Sequence, residues 1–216
     1  MLVRERMTPN PITVTPSTSV SDALRVMREK KIKRLPVLDS HGQLVGIVSE
    51  KDLLYASPSP VTSLNVWEIH ELLGKLLVEK VMTARVITVG EDQPLEEAAR
   101  IMDDGNFGGL PVMRGKALVG IITESDLFQS FLQFLGGRRR GVRVTATIPN
   151  AKGTLAKIAN AIFGAGGDIV GLAFSEDPDL AKQQWEIAFK VQGVSQAKLV
   201  EVLRPTVREI IDVRES

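Results

Sequence analysis

Apolar positions between residues 7 and 135 follow an order that the chain uses twice. Each copy begins with a short apolar stretch and continues with apolar residues three and four positions apart, the period of a helix with one buried face. The residues on that face are Val20, Ala23, Leu24 and Met27 in the first copy and Leu95, Ala98, Ala99 and Met102 in the second. A hairpin of apolar strands and a second helix follow in both copies. We therefore predict two units of the same fold.

The similarity of the two copies extends to their turn and polar residues. The phrase "GIVSEKD" at 46–52 returns as "GIITESD" at 120–126, and "RLPVL" at 34–38 returns as "GLPVM". Residues 7–27 also align with residues 82–102 without a gap. A unit of about fifty residues has one side of a core, so packing the two units face to face closes it.

A connecting helix is predicted between the repeats and a hinge after them. Val66, Ile69 and Leu73 give residues 65–77 an apolar stripe, beside which His70 lies without the second histidine that a zinc-protease motif requires. The glycine-flanked "GGRRRG" at 136–141 is the predicted hinge. The expected division is 1–60 for the first repeat, 61–80 for the connector, 81–137 for the second repeat, 138–141 for a linker and 142–216 for a further domain.

The last 75 residues have a different pattern of apolar and polar positions. Residues 142–148 alternate apolar and polar, a helical period follows, and the remaining segments read strand, strand, helix, strand. The order βαββαβ is that of a ferredoxin-like sandwich, so the predicted fold class is α+β throughout. Two helices cover one face of such a sheet, and a homodimer is the simplest partner for its open face or edge.

Composition narrows the classes of function. The chain has 216 residues, a net charge of +1 and no cysteine. The small net charge gives no overall electrostatic attraction to nucleic acid or to a membrane, and without cysteine there is no thiol chemistry. No apolar run reaches the length of a bilayer span, and we expect a cytoplasmic protein. The two histidines, His41 and His70, form no catalytic set, and no phosphate-binding loop or metal cluster is visible, so we expect no enzymatic activity, no metal and no required cofactor.

These motifs resemble known families. The paired "MTPNPITV"/"MTARVITV", "RLPVL"/"GLPVM" and "GIVSEKD"/"GIITESD" resemble a tandem pair of CBS domains, a Bateman module. Residues 142–214, with "IPNAKGTLAKI" and "GAGGDI", resemble an ACT domain. The order of the three domains is similar to that of the acetoin-utilisation B type of bacterial protein, and it implies an allosteric regulatory protein.

CBS pairs generally sense adenine nucleotides, and the residues support this. Asp52 and Asp126 each follow a strand-ending hydroxyl, Ser49 or Thr123, in the first turn of a helix, where a carboxylate stays ionised and its two oxygens match a ribose diol. The resemblance places adenine between the segment Thr8–Ile12 and the backbone at Arg34–Pro36, and correspondingly between Thr83–Ile87 and Gly109–Pro111. The implied ligand is AMP, ADP, ATP or an S-adenosyl compound, bound by Thr8, Ile12, Arg34, Pro36, Ser49, Asp52, Thr83, Ile87, Gly109, Pro111, Thr123 and Asp126.

Two alternatives stay open for this site. Ser/Thr-x-x-Asp at a helix start is also a plain capping box, and a ligand-free dimerisation adaptor would need nothing more. The repeats also differ in charge, because "REKKIKRLPV" in the first is basic and "DDGNFGGLPV" in the second is not. Unequal affinities of the two pockets for a polyphosphate are therefore expected, although a basic residue of one repeat can serve the other's pocket.

The resemblance to ACT domains implies a small effector, often an amino acid, beside the first loop of that domain. The acidic residue common before the glycine is replaced here by Asn150, which has no charge to pair with an amino group. Gly153 permits close approach of a ligand, and Asp168 is the candidate for the missing acid. A regulated enzyme is a further implied partner; its identity is not encoded in this chain.

Overall fold

A computed structural model describes residues 1–56, 74–176 and 184–216 of the chain. It contains two compact units, Met1–Leu127 and Phe128–Ser216. The border lies inside the last helix of the second repeat rather than after it. Most of the predicted connecting helix, including His70, lies outside the described residues. None of the described helices is both long and apolar enough to cross a bilayer.

The first repeat forms the predicted helix, hairpin and second helix. Its elements are β1 (Thr8–Pro9), α1 (Val20–Lys30), β2 (Arg34–Leu38), β3 (Leu44–Ser49) and α2 (Glu50–Tyr55). Ser19 caps α1, because its Oγ accepts a hydrogen bond from the Asp22 amide at 3.1 Å. The apolar face of α1 packs on β2 and β3 in a core where the Leu35 and Leu53 side chains are fully buried.

The second repeat has the same order of helix, hairpin and second helix. Its elements are β4 (Val89–Gly90), α3 (Leu95–Gly105), β5 (Gly109–Arg114), β6 (Ala117–Thr123) and α4 (Glu124–Phe134). Strands β2 and β3 pair antiparallel, as do β5 and β6, so both predicted hairpins are confirmed. The core includes Leu95, Met102, Leu110 and Ile122. The sequence pattern therefore predicted both hydrophobic cores.

The segment that opens each repeat crosses to the other repeat. Thr8 pairs with Ile121 in β6, and Thr83 exchanges two backbone hydrogen bonds with Ile47 in β3. This exchange explains the glycine that opens each copy of the repeated phrase. A Cβ on Gly46 would overlap the Met82 sulfur, and one on Gly120 would overlap the Met7 sulfur.

The second unit has the predicted βαββαβ order. It consists of β7 (Val142–Pro149), α5 (Thr154–Gly164), β8 (Asp168–Glu176), β9 (Gln184–Gln192), α6 (Gln196–Leu203) and β10 (Glu209–Glu215). The sheet has the strand order β10-β7-β9-β8, and every pair is antiparallel. Ile158 and Ile162 of α5 and Leu199 of α6 pack with Phe189 of β9 in its core.

The glycine- and arginine-rich segment at 136–141 is held against this sheet. Lys190 is buried and donates from Nζ to the Arg139 carbonyl oxygen at 2.8 Å, and Gln192 donates to the Arg140 carbonyl oxygen at 2.6 Å. Gly141 exchanges two backbone hydrogen bonds of 2.9 Å with Ser216. These contacts are at odds with a free hinge, because they fix the backbone of residues 139–141 to the second unit.

Candidate functional site

One cleft of the first unit lies where the first hairpin ends and α2 begins. It has a volume of about 410 Å³ and we name it the Asp52 cleft. Its walls carry polar and charged side chains together with two adjacent glycines. The lining residues are Lys33, Arg34, Ile47, Ser49, Glu50, Lys51, Asp52, Thr83, Asn106, Phe107, Gly108 and Gly109.

A second cleft occupies the equivalent place beside α4. This Asp126 cleft has a volume of about 260 Å³. Its lining residues are Thr8, Lys31, Ile32, Lys33, Arg34, Ile121, Thr123, Ser125 and Asp126. Each predicted carboxylate and its hydroxyl partner therefore line a concave site of their own.

Both clefts are built from both repeats, which corrects the expectation that each site lies within a single repeat. The expected pairs, Thr8 with Arg34 and Thr83 with Gly109, do lie together. Each pair lies with the other repeat's carboxylate, because Thr8 and Arg34 line the Asp126 cleft and Thr83 and Gly109 line the Asp52 cleft. The cause is the pairing of each opening segment with the other repeat's hairpin.

The hydroxyl and the carboxylate in each cleft are hydrogen-bonded to each other. Asp52 Oδ2 accepts from the Ser49 amide at 2.8 Å and from Ser49 Oγ at 2.7 Å, and Ser49 Oγ in turn accepts from the Asp52 amide at 3.2 Å. In the other cleft Asp126 Oδ2 accepts from the Thr123 amide at 2.8 Å and from Thr123 Oγ1 at 2.7 Å.

At Ser49 and Asp52 this bonding is a complete capping box, the alternative left open from the sequence, and the bond from the Thr123 amide to Asp126 is the corresponding half of one in the second cleft. It orients each carboxylate and uses its Oδ2 atom. Asp52 Oδ1 makes no hydrogen bond to any residue in the ranges described, so this oxygen is free to accept from a ligand hydroxyl. Capping and ligand binding are therefore compatible at Asp52.

The cations of the clefts follow the second arrangement expected from the sequence, in which a basic residue of one repeat serves the other's pocket. The basic segment of the first repeat serves both sites, since Lys33 and Arg34 line each of them. Lys51 adds a charge to the Asp52 cleft alone, and Lys31 adds one to the Asp126 cleft alone. The basic segment therefore lines both clefts rather than one of them.

Four of the predicted site residues lie outside these walls. Pro36 and Pro111 are buried inside β2 and β5, where they pair with Ile47 and Ile121. Ile12 and Ile87 are 39% and 47% exposed and line neither cleft. The structure brings together the other eight predicted residues as two sets, Arg34, Ser49, Asp52, Thr83 and Gly109 in one and Thr8, Arg34, Thr123 and Asp126 in the other.

Several lining residues were missed as ligand contacts. Asn106, Phe107 and Gly108 precede β5 yet reach the Asp52 cleft of the first repeat. Reasoning within one repeat could not place them there, because the contact crosses between the repeats. The signal that could have found them is the change from Lys33-Arg34 to Gly108-Gly109 at equivalent positions.

The three effector residues predicted in the second unit do not form one site. Asn150 and Gly153 follow the end of β7, whereas Asp168 begins β8. The register of β9 joins Pro149 to Gln184 but Asp168 to Gln192, at the opposite end of the strand. Within one chain Asp168 therefore lies at the other end of the sheet from the loop of Asn150 and Gly153, which are both exposed.

A family model of the CBS domain matches residues 3–59 and 78–133, which is more than half of the chain. The chain belongs to the CBS domain family. Each matched segment contains one repeat, so the duplicated fold is a tandem CBS pair.

Solved structures of CBS pairs resemble the chain over a comparable length. The CBS domain pair of protein MJ0100, in complex with 5-methylthioadenosine and S-adenosyl-L-methionine, is 31% identical with a TM-score of 0.52, covering 64% of this chain and 98% of that one. A putative acetoin utilization protein from Vibrio cholerae is 31% identical with a TM-score of 0.53, covering 64% and 95%. CBSX2 in complex with AMP is 38% identical with a TM-score of 0.50, covering 61% and 96%.

Curated relatives include both short proteins and longer enzymes. The chain spans 94% of a CBS domain-containing protein from Dictyostelium discoideum, at 35% identity over 62% of this chain. It spans only 24% of the L-aspartate semialdehyde sulfurtransferase of Methanocaldococcus jannaschii, at 31% identity over 64% of this chain. CBS pairs thus occur both as most of a small protein and as a module of an enzyme.

Proposed function

We propose that this protein is a non-catalytic regulatory sensor that binds an adenine nucleotide or an S-adenosyl compound in its CBS pair. The observation that carries the proposal is the composition of the two clefts. Each combines a hydroxyl-bonded carboxylate with the cations Lys33 and Arg34. A carboxylate accepts from a ribose diol, and the cations attract a phosphate or the ligand's carboxylate.

The relatives support this choice of ligand class. One related CBS pair holds AMP and another holds methylthioadenosine and S-adenosyl-L-methionine. These ligands share an adenosine and differ in the group attached to its ribose. The ribose of the shared adenosine fits the carboxylate in each cleft. The attached group differs between the ligands in its charge, and this charge decides how strongly it interacts with Arg34.

Calorimetric titration with AMP and with S-adenosyl-L-methionine tests the proposal. Asp52→Asn and Asp126→Asn keep an acceptor for the helix cap but replace the other acceptor oxygen with a donor and remove the charge. Losing a charged hydrogen bond of this kind is expected to weaken binding in that cleft about 10- to 100-fold. Asp22→Asn is the control, because Asp22 is hydrogen-bonded to the capping hydroxyl of Ser19 at the start of α1 yet lines neither cleft.

A ligand-free adaptor is the second candidate, and the capping geometry favours it. Both carboxylates already have a structural use at the start of α2 and α4. If Asp52→Asn and Asp126→Asn leave nucleotide binding no weaker than Asp22→Asn does, or if no nucleotide binds at all, the adaptor is the better description.

We further propose that the second unit is an ACT domain that forms a homodimer and passes the state of the CBS pair to a regulated enzyme. Its βαββαβ order and its strand order β10-β7-β9-β8 support the assignment. Strand β8 lies at one edge of the sheet and carries Phe174, which is 54% exposed and stacks on Trp185. Pairing of two such edges would cover this residue. Analytical ultracentrifugation of the wild type and Phe174→Lys tests it, since the variant should shift toward monomer.

A further inference from the structure

Arg34 has no charged equivalent in the second repeat. It begins β2, directly opposite Ser49 in the hairpin, and it is half-buried. The equivalent residue of the second repeat is Gly109, opposite Thr123. The preceding positions are Lys33 and Gly108.

The two glycines make room for the Arg34 side chain. A Cβ on Gly108 would overlap the Arg34 guanidinium, and the Glu124 carboxylate approaches the same point. A Cβ on Gly109 would lie 3.2 Å from Arg34 Cδ and 3.1 Å from the Ile122 carbonyl oxygen. An arginine at both equivalent positions would bring two guanidinium groups into one space. The uncharged glycines of the second repeat thus leave the space that the Arg34 side chain of the first repeat occupies.

We propose that Arg34 is a single cation shared by the two clefts, so that an anionic ligand bound in one cleft weakens the binding of an anionic ligand in the other. Arg34 lines both clefts. A guanidinium binds a phosphate best with two parallel N–H groups, and this fork faces one phosphate at a time. The proposal rests on nucleotide binding as proposed above and adds its regulation.

The direction of the coupling follows from charge. The first phosphate holds Arg34 and leaves the other cleft with its exposed cations alone. Because a charge-assisted hydrogen bond is lost at the second site, we expect the second AMP to bind about tenfold more weakly than that cleft allows alone.

The experiment compares each cleft with its neighbour empty and filled. Titration of Asp52→Asn and Asp126→Asn with AMP gives the affinity of each cleft while the other is disabled. The wild type then gives the affinity of the weaker cleft while the stronger one is filled. The expected result is an affinity about tenfold lower in the wild type. Adenosine, which lacks the phosphate, should show no such difference.

Two variants assign the coupling to Arg34. Arg34→Gly installs the glycine that the second repeat has. In this variant the affinity of the weaker cleft for AMP should be the same whether the other cleft is filled or disabled. Lys33→Gly is the matched control: Lys33 also lines both clefts but is exposed, so its charge is screened and the coupling should persist. A coupling that survives Arg34→Gly, or that disappears in Lys33→Gly instead, overturns the assignment.

The failures of the two proposals are distinct. Equal affinities of the weaker cleft in the wild type and the single-cleft variant, or equal coupling with adenosine and AMP, overturn only the shared cation. Absence of AMP binding to the wild type and to every variant overturns the nucleotide function and the coupling with it.

Discussion

The two CBS repeats share the order of helix, hairpin and second helix and differ where they face the clefts. Helices α1 and α3 each have 11 residues, and each ends in a left-handed residue, Lys31 with φ 55° and Asn106 with φ 51°. From the last residue of the helix to the first residue of the next strand, the first repeat has four basic residues at 30–34, whereas the second has three glycines and no basic residue at 105–109. Packing has therefore preserved the duplicated fold, while the residues at the clefts have become complementary rather than equal.

The comparison is tested most strongly by a pair of equivalent leucines. Leu53 in α2 is fully buried in the first core, whereas Leu127 in α4 is half-buried against the second. Leu53→Ala is expected to lower the free energy of unfolding by about 2–5 kcal/mol, since it leaves a cavity. Leu127→Ala should cost less, because part of that side chain already contacts water. Urea denaturation followed by circular dichroism measures both, and equal losses would show that the repeats contribute equally.

The next largest effect comes from removing the complementarity at Arg34. Gly109→Arg places a second arginine against Arg34 Cδ and should destabilise the protein by about 1–3 kcal/mol through overpacking, with like-charge repulsion in addition. The double variant Arg34→Gly/Gly109→Arg should recover the part of the loss that is due to Arg34, while the 3.1 Å approach to the Ile122 carbonyl oxygen remains. Urea denaturation of the two variants decides. If the double variant is no more stable than Gly109→Arg alone, the two positions do not share one space.

Much of the fold could be predicted because it depends on local periodicity. The apolar faces of α1 and α3 and both hairpins follow from patterns of 3.6 and 2 residues, and the structure contains them. Likewise, the geometry of Asp52 and Asp126 at a helix start could be predicted, because a hydroxyl three residues before a carboxylate forms a cap there. Their place in a ligand cleft was implied by the resemblance to CBS domains.

The composition of each cleft could not be predicted in the same way. Thr8 and Thr83 exchange between repeats, and Arg34 contacts both clefts, through long-range pairing that leaves no periodic trace. Similarly, Asp168 is separated from Asn150 by the register of β9, which spacing along the chain does not specify. Contacts made between elements distant in sequence are the part that required the structure.

A smaller effect is expected at the left-handed ends of α1 and α3. Lysine in this conformation is strained, whereas asparagine adopts it more readily. Lys31→Asn should therefore raise the free energy of unfolding by up to about 1 kcal/mol, and Asn106→Lys should lower it by a similar amount. Urea denaturation compares the two changes. A loss of stability in Lys31→Asn would mean that the lysine side chain makes a stabilising contact in the Asp126 cleft that outweighs its backbone strain.

The smallest expected effect concerns an ion pair present in the second repeat alone. Glu91, which follows β4, is largely shielded from solvent and accepts hydrogen bonds from Arg114 Nε and, at 2.8 Å, from Arg114 Nη2. The equivalent positions of the first repeat are Pro16 and Asp39, which cannot form this pair. The hydrogen bonds from Arg114, and its charge, hold the pKa of the Glu91 carboxyl below its ordinary value of 4.5.

Because the pKa of Glu91 is lower in the folded protein than in the unfolded chain, ionised Glu91 stabilises the fold above pH 4.5, and this contribution is lost as the pH falls through the folded-state pKa. Glu91→Gln cannot ionise, so it should be less stable than the wild type at pH 7, and the difference should shrink as the pH is lowered below 4.5. Glu96→Gln, on the exposed side of α3, is the matched control and should leave the pH dependence of stability close to that of the wild type. Urea denaturation between pH 7 and pH 3 measures the three proteins. A wild-type advantage over Glu91→Gln that stays constant across this range would mean that the Glu91–Arg114 pair contributes through its packing rather than through its charge.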